Sequence, residues 1–400
     1  MRLAFADTAA VIEVPDSQEL LAALRAAASD WPFAETQSKA EPVARLRELN
    51  GSYAIEFPGE EPVEATAVRA ACSAMVNVVG AYIDDHPGRL CLHCAAAEFS
   101  GRLVIFPSRA HAGKSTLIAS LAASGHVIFG DDIIPVSDDD LSGISLGIAP
   151  RLRLPLPKDA GAPFREFVSR HAAAGDGYYL YLALPAGGLA PRKSTKPIGA
   201  IVLLDRRPEG PAELGWATRS NILQSLIMQN FARAAPSGTL LDRLHSIMDR
   251  LPHLVLRYSN LEEATVLLQK TFAEWPPRLG AVTERYELDL TPGDEDEETV
   301  SDDVGPDYPP DTLLMQDPRI RLHAVDGELF LADAEGLSIH HLNQIGAGLW
   351  HLLAEPISQE QSIDVLCDAF PEADRRAVAD DVRRLFSALS RERFITRAEQ

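Results

Sequence analysis

One stretch of sequence decides the fold of this chain: Pro107-Ser108-Arg109-Ala110-His111-Ala112-Gly113-Lys114-Ser115-Thr116. The apolar run Leu103-Val104-Ile105-Phe106 before it predicts a buried strand, and residues 115–123 after it predict a helix. A strand, a glycine-containing loop and a helix N-terminus turn successive backbone N–H groups toward one point, which suits a phosphate group. The stretch therefore predicts a phosphate-binding loop within an α/β domain.

The loop fits the phosphate-loop pattern of Gly, four residues, and Gly-Lys-Ser/Thr at every fixed position except the first, which is Ser108. We expect Gly113 to permit close approach of the backbone and Lys114 to reach the β- and γ-phosphates of a nucleotide. The hydroxyl of Ser115 would then lie on a Mg²⁺ ion. The pattern predicts ATP and Mg²⁺ as cofactors, with residues 108–116 as the nucleotide-binding segment.

Two adjacent carboxylates, Asp131 and Asp132, follow the next predicted strand, Val127-Ile128-Phe129. In a parallel α/β sheet, ligands bind at the carboxyl ends of the strands, so we expect this pair to lie beside the loop. One carboxylate is suited to hold the metal and the other to accept a proton from an attacking hydroxyl. The pair therefore points to phosphoryl transfer, whereas a simple ATPase needs only one such carboxylate.

Three basic side chains are further candidates. His93 lies in a predicted strand over residues 90–98 that would run beside the site, and a buried core histidine is the alternative. Arg151 and Arg153 would clamp phosphate or substrate, and ordinary surface arginines are the alternative.

Composition excludes several classes of function. Lys and Arg total 37 against 58 Asp and Glu, and a net charge of −21 argues against a nucleic-acid partner. Cys91 and Cys94 lack a second ligand pair at zinc-site spacing, so we expect reduced thiols. No signal peptide and no bilayer-spanning apolar run is visible, so we expect a cytoplasmic protein with no membrane partner. A homo-oligomer is left open.

The chain divides into four predicted segments. Residues 1–89 read as an α+β region with a long helix over 64–83, and residues 90–275 as the nucleotide-binding domain. Residues 276–312 read as a flexible acidic linker, because 286–318 contain no Lys or Arg but many carboxylates and prolines. Residues 313–400 read as a small domain of three strands and three helices, with Asn343 as a helix N-cap.

Three short stretches resemble the carboxyl-terminal domain of HPr kinase/phosphorylase over residues 90–272: Leu92-His93-Cys94-Ala95-Ala96, Gly113-Lys114-Ser115-Thr116-Leu117 and Gly130-Asp131-Asp132. The resemblance implies a phosphate-loop kinase fold in which Lys114 and Ser115 bind the phosphates and Mg²⁺. It also implies that Asp131 supports the metal and Asp132 acts as base toward a substrate serine. His93 matches a histidine near the family's site.

The chain departs from that family at Ser108, at Cys94, where a glycine often follows the histidine, and over residues 146–150. The last departure argues against HPr itself as the substrate and against the reverse phosphorolysis. Kinase chemistry remains the better inference from the residues that match.

Residues 326–395 resemble PqqD, a winged-helix-like domain that recognises the leader peptides of ribosomally synthesised, modified peptides. The resemblance implies that an extended peptide adds to the third strand, beside the first helix. Five residues would line that groove: Leu337, Ile339, His341, Ala347 and Trp350. A generic accessory domain is the alternative.

Together these features predict an ATP- and Mg²⁺-dependent serine kinase whose acceptor is a peptide or protein. A ribosomally synthesised precursor peptide, recognised through the PqqD-like domain, is the favoured acceptor. Two alternatives stay open: a nucleotide-dependent peptide-binding module or chaperone without kinase activity, and a kinase of an HPr-like carrier protein.

Overall fold

The computed structural model describes residues 1–56, 62–109, 111–137, 140–231, 236–279, 282–290, 308–333 and 338–398. The chain forms two compact units of mixed α/β structure. The amino-terminal unit contains Met1–Thr218, Met228–Ala234 and Ile247–Leu288. The carboxyl-terminal unit contains Arg219–Ile227, Ala235–Ser246 and Asp289–Gln400.

The helices, in chain order, are α1 (Gln18–Ala28), α2 (Ala67–Asp84), α3 (Lys114–Ala123), α4 (Ala162–Arg170), α5 (Arg219–Met228), α6 (Ser237–Arg250), α7 (Leu261–Thr271), α8 (Gln344–Leu352), α9 (Gln359–Ala369) and α10 (Arg375–Arg391). The first twelve strands are β1 (Arg2–Phe5), β2 (Val11–Glu13), β3 (Phe33–Glu35), β4 (Ala44–Leu49), β5 (Ser52–Glu56), β6 (Val63–Ala65), β7 (Leu90–Leu92), β8 (Ala95–Phe99), β9 (Arg102–Phe106), β10 (Ile128–Gly130), β11 (Ile134–Val136) and β12 (Ser142–Ile144). The other strands are β13 (Arg151–Arg153), β14 (Ala172–Gly175), β15 (Tyr179–Leu182), β16 (Thr195–Arg206), β17 (Glu213–Ala217), β18 (His253–Tyr258), β19 (Arg285–Tyr286), β20 (Leu314–Gln316), β21 (Arg321–Val325), β22 (Glu328–Ala332), β23 (Ile339–Leu342) and β24 (Ile395–Arg397).

The first sheet has the order β3-β1-β2-β4-β5-β6. Helices α1 and α2 contribute buried residues to the same core as this sheet, and that core also takes in Cys91, Ile133 and Tyr181. Residues 1–89 therefore share a hydrophobic core with the segment that follows them.

Helix α2 begins later than the predicted start at residue 64. The side chain of Thr66 accepts a hydrogen bond from the backbone N–H of Arg69 and so caps the helix. Glu64 lies in β6, which pairs with β5. The prediction was wrong over these residues because helical spacing of apolar residues does not show where a cap interrupts the helix.

The predicted strand over residues 90–98 is two strands. β7 ends at Leu92 and β8 begins at Ala95, so His93 lies in the connection between them, not in a strand as predicted. The backbone N–H of His93 donates to the carbonyl oxygen of Gln229, and that of Cys94 donates to Leu92. These bonds break the strand and turn His93 out of the ladder.

The largest sheet carries residues 107–113, the predicted phosphate loop. Strand β9 pairs in parallel with β16, and β16 pairs in parallel with β18, but β8 is antiparallel to both β9 and β10. The sheet around the Asp131–Asp132 pair is therefore mixed and not parallel throughout. Because β8 lies between β9 and β10 and is antiparallel to both, β9 and β10 run in the same direction. Their carboxyl ends, which carry the loop and the carboxylate pair, thus lie at the same edge of the sheet.

The predicted linker over residues 276–312 begins too early. Val282 packs against the core under the large sheet, and its carbonyl oxygen accepts a hydrogen bond from the indole of Trp216. Strand β19 then pairs in parallel with β17, and Arg257 lies over the Tyr286 ring. Residues 291–307, the most acidic part of the predicted linker, lie outside the described residues.

The carboxyl-terminal unit is built around the antiparallel meander β21-β22-β23 and the pair β20-β24. Asn343 caps α8, and Ser358 and Gln361 form a capping box at the start of α9. Buried residues of α8, α9 and α10 form one core with Leu329, Leu331 and Leu342 of the meander. This segment was predicted to hold three strands and three helices; among its described residues the structure has five strands, β20–β24, and the helices α8, α9 and α10.

Within the described residues, no helix is both long enough and apolar enough to cross a lipid bilayer.

Candidate active site

The loop between β9 and α3 is fixed by its first and last residues. Ser108 is buried, and its hydroxyl accepts a hydrogen bond of 2.9 Å from the backbone N–H of Leu204 in β16. Gly113 has φ of +94°, and a Cβ there would lie 2.8 Å from the hydroxyl of Tyr258. Helix α3 begins at Lys114, so its free N–H groups open onto the loop. The geometry suits an anion.

The Lys114 side chain is buried and folds back onto its own loop. Its Nζ atom donates to the carbonyl oxygens of Ser108 and Arg109. Burial lowers the pKa of Lys114, and the carboxylates of Asp132 and Asp131 oppose that shift. The ammonium group therefore lies between the loop and the carboxylate pair.

The two carboxylates of the pair have different surroundings. Asp131 is 5% exposed; its Oδ2 accepts a hydrogen bond of 3.0 Å from the backbone N–H of Arg151, and its Oδ1 is buried without a hydrogen-bond partner. The Asp132 side chain is 49% exposed, with Arg151 Nη2 at 3.4 Å from Oδ2 and His93 Nε2 at 3.8 Å from Oδ1. One carboxylate is thus enclosed and the other faces solvent.

The same surroundings separate their pKa values. Burial, and then the negative charge of Asp132, raise the pKa of Asp131. Partial desolvation would also raise the pKa of Asp132, but His93, Arg151 and Lys114 outweigh it and hold that pKa below its ordinary value. Asp132 is therefore ionised at neutral pH and able to accept a proton, while Asp131 needs a nearby cation to ionise fully.

The residues present fit a divalent cation beside Asp131. The unpartnered Oδ1 is an oxygen ligand without another role, and the Ser115 side chain lies close enough to lower the pKa of Asp131 by hydrogen bonding. Among the described residues no three His, Cys, Asp or Glu side chains form a metal-binding group. Mg²⁺ does not require one, because it commonly binds to one or two protein oxygens and completes its shell with phosphates and waters.

His93 and Arg151 are positioned by segments far away in sequence. The His93 ring stacks on Phe231 at 5.4 Å between centroids. The Arg151 guanidinium lies 4.5 Å from the centroid of the Tyr179 ring and also contacts the sulfur of Cys72. Sequence reasoning missed Phe231, Tyr179 and Cys72, because no local pattern connects these segments to the loop.

The remaining predicted loop residues are spread around the site. Arg153 Nη1 lies 2.7 Å from His111 Nδ1, so this arginine contacts the loop. Ala112 packs against the core beneath it. Arg109 is exposed, and its carbonyl oxygen accepts from Lys114. Ala110 lies outside the described residues, and Thr116 lies in the first turn of α3.

A cavity of about 630 Å³ adjoins the carboxylate pair. Its lining includes His93, Asp131, Asp132 and Arg151, together with residues of α2. No described residue between 108 and 116 lines it. The cavity therefore opens on the Asp132 side of the site, away from the phosphate loop.

The predicted peptide groove of the carboxyl-terminal unit is divided between two faces of its sheet. Ala347 and Trp350 are buried in the core with Leu342, so they do not line an open groove. His341 lies on the other face of β23, where it contacts Glu328 at 2.7 Å and stacks on Phe330. Strand alternation puts Ile339 on the same face as His341. The expectation that these four residues share one groove was therefore wrong; Leu337 lies outside the described residues.

The edge of this sheet offers a different surface. Among the described residues, β23 pairs only with β22, so its other edge has backbone groups available for a further strand. Ile345, in the first turn of α8, is 58% exposed. Strand alternation in β23 predicts neither the open edge nor the exposed Ile345, because both depend on how α8 packs on the sheet.

Residues 328–395 match the family model described as coenzyme PQQ synthesis protein D (PqqD). The carboxyl-terminal unit contains a PqqD domain. The resemblance predicted from residues 326–395 is thereby confirmed. No curated protein sequence matches this chain.

Two solved structures are similar to parts of the chain. TbiB1 in complex with the TbiA(beta) leader peptide shares 22% identity over 22% of this chain and 99% of that chain, with a TM-score of 0.20. The HPr(Ser) kinase/phosphatase from Coxiella burnetii shares 14% identity over 45% of this chain and 91% of that chain, with a TM-score of 0.24. Similarities this weak leave the phosphate-loop kinase fold of residues 90–275 a prediction.

Proposed function

We propose that this protein is an ATP- and Mg²⁺-dependent kinase that phosphorylates a serine of a peptide recognised by its PqqD domain. The observation that carries the proposal is the pairing of a phosphate loop with two carboxylates of opposite pKa shift at one sheet edge. A nucleotide-binding site needs the loop and one carboxylate. An ionised, solvent-facing second carboxylate is what a transfer reaction adds.

Each residue of the site has a separate role in the proposed phosphoryl transfer. The N–H groups at the start of α3 and the Lys114 ammonium would hold the β- and γ-phosphates, and Asp131 and Ser115 would hold Mg²⁺. When bound, Mg²⁺ supplies positive charge against the phosphate oxygens. Asp132 accepts the proton of the substrate's serine hydroxyl while the serine oxygen forms a bond to the γ-phosphorus. The bond from that phosphorus to the β–γ bridging oxygen breaks, and ADP leaves with that electron pair.

Arg151 and His93 support this role of Asp132. Their positions hold the Asp132 carboxylate ionised before transfer. After transfer, the half-exposed side chain of Asp132 can release the proton to water.

The PqqD domain supports a ribosomally synthesised precursor peptide as the acceptor. Domains of this family recognise leader peptides by strand addition, and the open edge of β23 beside α8 offers main-chain groups for it. A leader held there would raise the local concentration of the attached acceptor serine.

The test is incubation of the full chain with ATP, Mg²⁺ and any short precursor peptide that is encoded beside its gene. We expect a mass gain of one phosphoryl group on serine. The Asp132→Asn variant should lose transfer by roughly 100-fold or more and keep its affinity for nucleotide. Nucleotide binding without any mass gain in the wild type would favour a peptide-binding module; transfer that survives Asp132→Asn would exclude Asp132 as the base.

A further inference from the structure

The 630 Å³ cavity beside Asp132 is built mainly from the first 89 residues of the chain and from segments remote from the phosphate loop. Its polar lining includes Asp132, His93 and Arg151 at the carboxylate pair, and Asn77 and Asp84 on α2. The rest of the wall is mostly apolar, and its larger side chains are Met75, Val76, Val79, Ile133, Ile148 and Phe231. An apolar cavity with a few convergent polar groups is the usual form of a ligand site.

Helix α2 supplies the open side of this wall. Val76 is an exposed large apolar residue within it, and Gly80, one helical turn further along, has no atom within 4 Å of the place where its Cβ would be. Exposed apolar surface at the mouth of an apolar cavity is unfavourable in water unless a partner covers it. Val76 and Asp132 line the same cavity, so a group that covers this surface would share the cavity with the hydroxyl that Asp132 is proposed to deprotonate.

We propose that this cavity binds an apolar side chain adjacent to the acceptor serine, and so selects peptides in which a large aliphatic or aromatic residue flanks that serine. The inference rests on the proposed function. The cavity volume falls within the range of about 300–1,000 Å³ typical of small-molecule sites, which exceeds what a serine side chain needs. Helix α2 thus acts as a specificity element for the residue next to the acceptor.

Two other occupants follow from the same lining and are outcomes of the test. Asp84, at the end of α2, lines the cavity and is exposed, which would suit a basic flanking side chain. A small free alcohol would need no flanking residue at all. Apolar side chains predominate in the wall, and the apolar occupant is therefore the one we argue.

The first experiment phosphorylates a degenerate peptide library with one fixed serine and randomised residues on both sides, using the full chain with ATP and Mg²⁺. We expect products enriched about tenfold in Leu, Ile, Met or Phe at one flanking position. A flat preference, or enrichment in Lys and Arg, would overturn the inference and leave the kinase proposal standing. Failure to phosphorylate both this library and the precursor peptide would overturn the kinase proposal, and this inference with it.

The second experiment fills the cavity. Gly80→Leu places a side chain in the open space and, because leucine favours helix over glycine, is expected to leave α2 folded. The Gly80→Leu variant should prefer peptides with Gly or Ala beside the serine. Its kcat/KM for peptides with a large apolar flanking residue should fall by at least about tenfold. Gly88→Leu is the matched control, since Gly88 also has open space around its Cβ position and does not line the cavity. An unchanged preference in a folded Gly80→Leu variant would contradict the proposal.

Discussion

The guanidinium of Arg151 lies 3.4 Å from the carboxylate of Asp132, although 19 residues separate them in sequence. The backbone N–H of the same arginine donates to Asp131. One residue at the start of β13 therefore contacts both carboxylates, by its side chain on one and its main chain on the other. A side-chain substitution can thus separate the two contacts.

Arg151→Met removes the charge beside Asp132 and keeps the backbone hydrogen bond to Asp131. The pKa of Asp132 is held low partly by this charge, so it should rise in the variant. We expect kcat/KM for phosphoryl transfer to fall on the order of 100-fold and the acid limb of its pH profile to move to higher pH. Arg151→Lys keeps a positive charge and should move the limb less. If kcat/KM falls at every pH but the acid limb of its pH profile stays in place, Arg151 does not act through Asp132.

Gly113→Ala should weaken nucleotide binding by roughly tenfold or more, because the new Cβ would lie 2.8 Å from the Tyr258 hydroxyl and force the loop to move. Titration with a fluorescent ATP analogue measures the effect. Gly101→Ala is the control: its φ of +87° carries similar backbone strain, about 1–2 kcal/mol, but no atom lies within 4 Å of its Cβ position. Equal losses of affinity in both variants would mean that strain, and not the contact with Tyr258, is responsible.

Ser108→Ala leaves the Leu204 N–H buried without its acceptor, so we expect a loss of about 1–3 kcal/mol in the free energy of unfolding. Ser108→Gly restores the usual first glycine of the loop and should lose the same hydrogen bond, with no gain in nucleotide affinity. Urea unfolding and hydrogen exchange at the Leu204 amide measure these effects. Ser169→Ala, on an exposed serine of α4, should change little. Tighter nucleotide binding by Ser108→Gly would contradict a structural role for Ser108.

Asp176 ties the start of α2 to the turn between β14 and β15. Its carboxylate accepts hydrogen bonds from the Thr66 hydroxyl at 2.6 Å and from the backbone N–H of Tyr179 at 2.7 Å. Burial would raise the pKa of Asp176, but these bonds and the nearby Arg69 lower it. A pKa lowered by folding contributes stability above the unfolded-state value of about 3.9, and this is lost as pH falls through the folded-state pKa.

Asp176→Asn should therefore destabilise the protein at neutral pH, and the difference from wild type should shrink below about pH 4. Thermal unfolding followed from pH 7 down to pH 3 measures that difference. Asp16→Asn, on an exposed aspartate, controls for the loss of one charge. A difference that stays constant across this range would show that the ionised carboxylate is not what stabilises the turn.

Local patterns predicted the loop, helix α3, the carboxylates after β10 and the cap at Asn343. Each depends on neighbours within a few residues, which a sequence displays directly. Helix α2 was predicted with the wrong start, and His93 was placed in a strand. Both errors arose where one hydrogen bond, from Arg69 to Thr66 or from His93 to Gln229, overrides the apolar pattern.

The groove of the PqqD domain was predicted from the family resemblance, without knowledge of which face of the sheet α8 covers in this chain. Leu342 faces the core and His341 does not, and only packing decides this. The linker was predicted to begin too early for a related reason. Val282 accepts a hydrogen bond from Trp216 and the Tyr286 ring lies under Arg257, and both partners are far away in sequence.

The sequence by itself determined the chemistry that is available at the loop: a lysine and hydroxyl at a helix N-terminus, followed by two carboxylates. Tertiary structure alone decided how those two carboxylates differ. Asp131 is enclosed, while Asp132 is half exposed beside His93, which comes from the connection between β7 and β8, and Arg151, which comes from the start of β13. A pKa depends on burial and on charges nearby in space, and neither can be read from adjacent letters in a chain. The apolar cavity beside Asp132 has the same origin, since the residues that line it come from segments far apart in the chain, among them α2, residues 129–133 and residues 146–151.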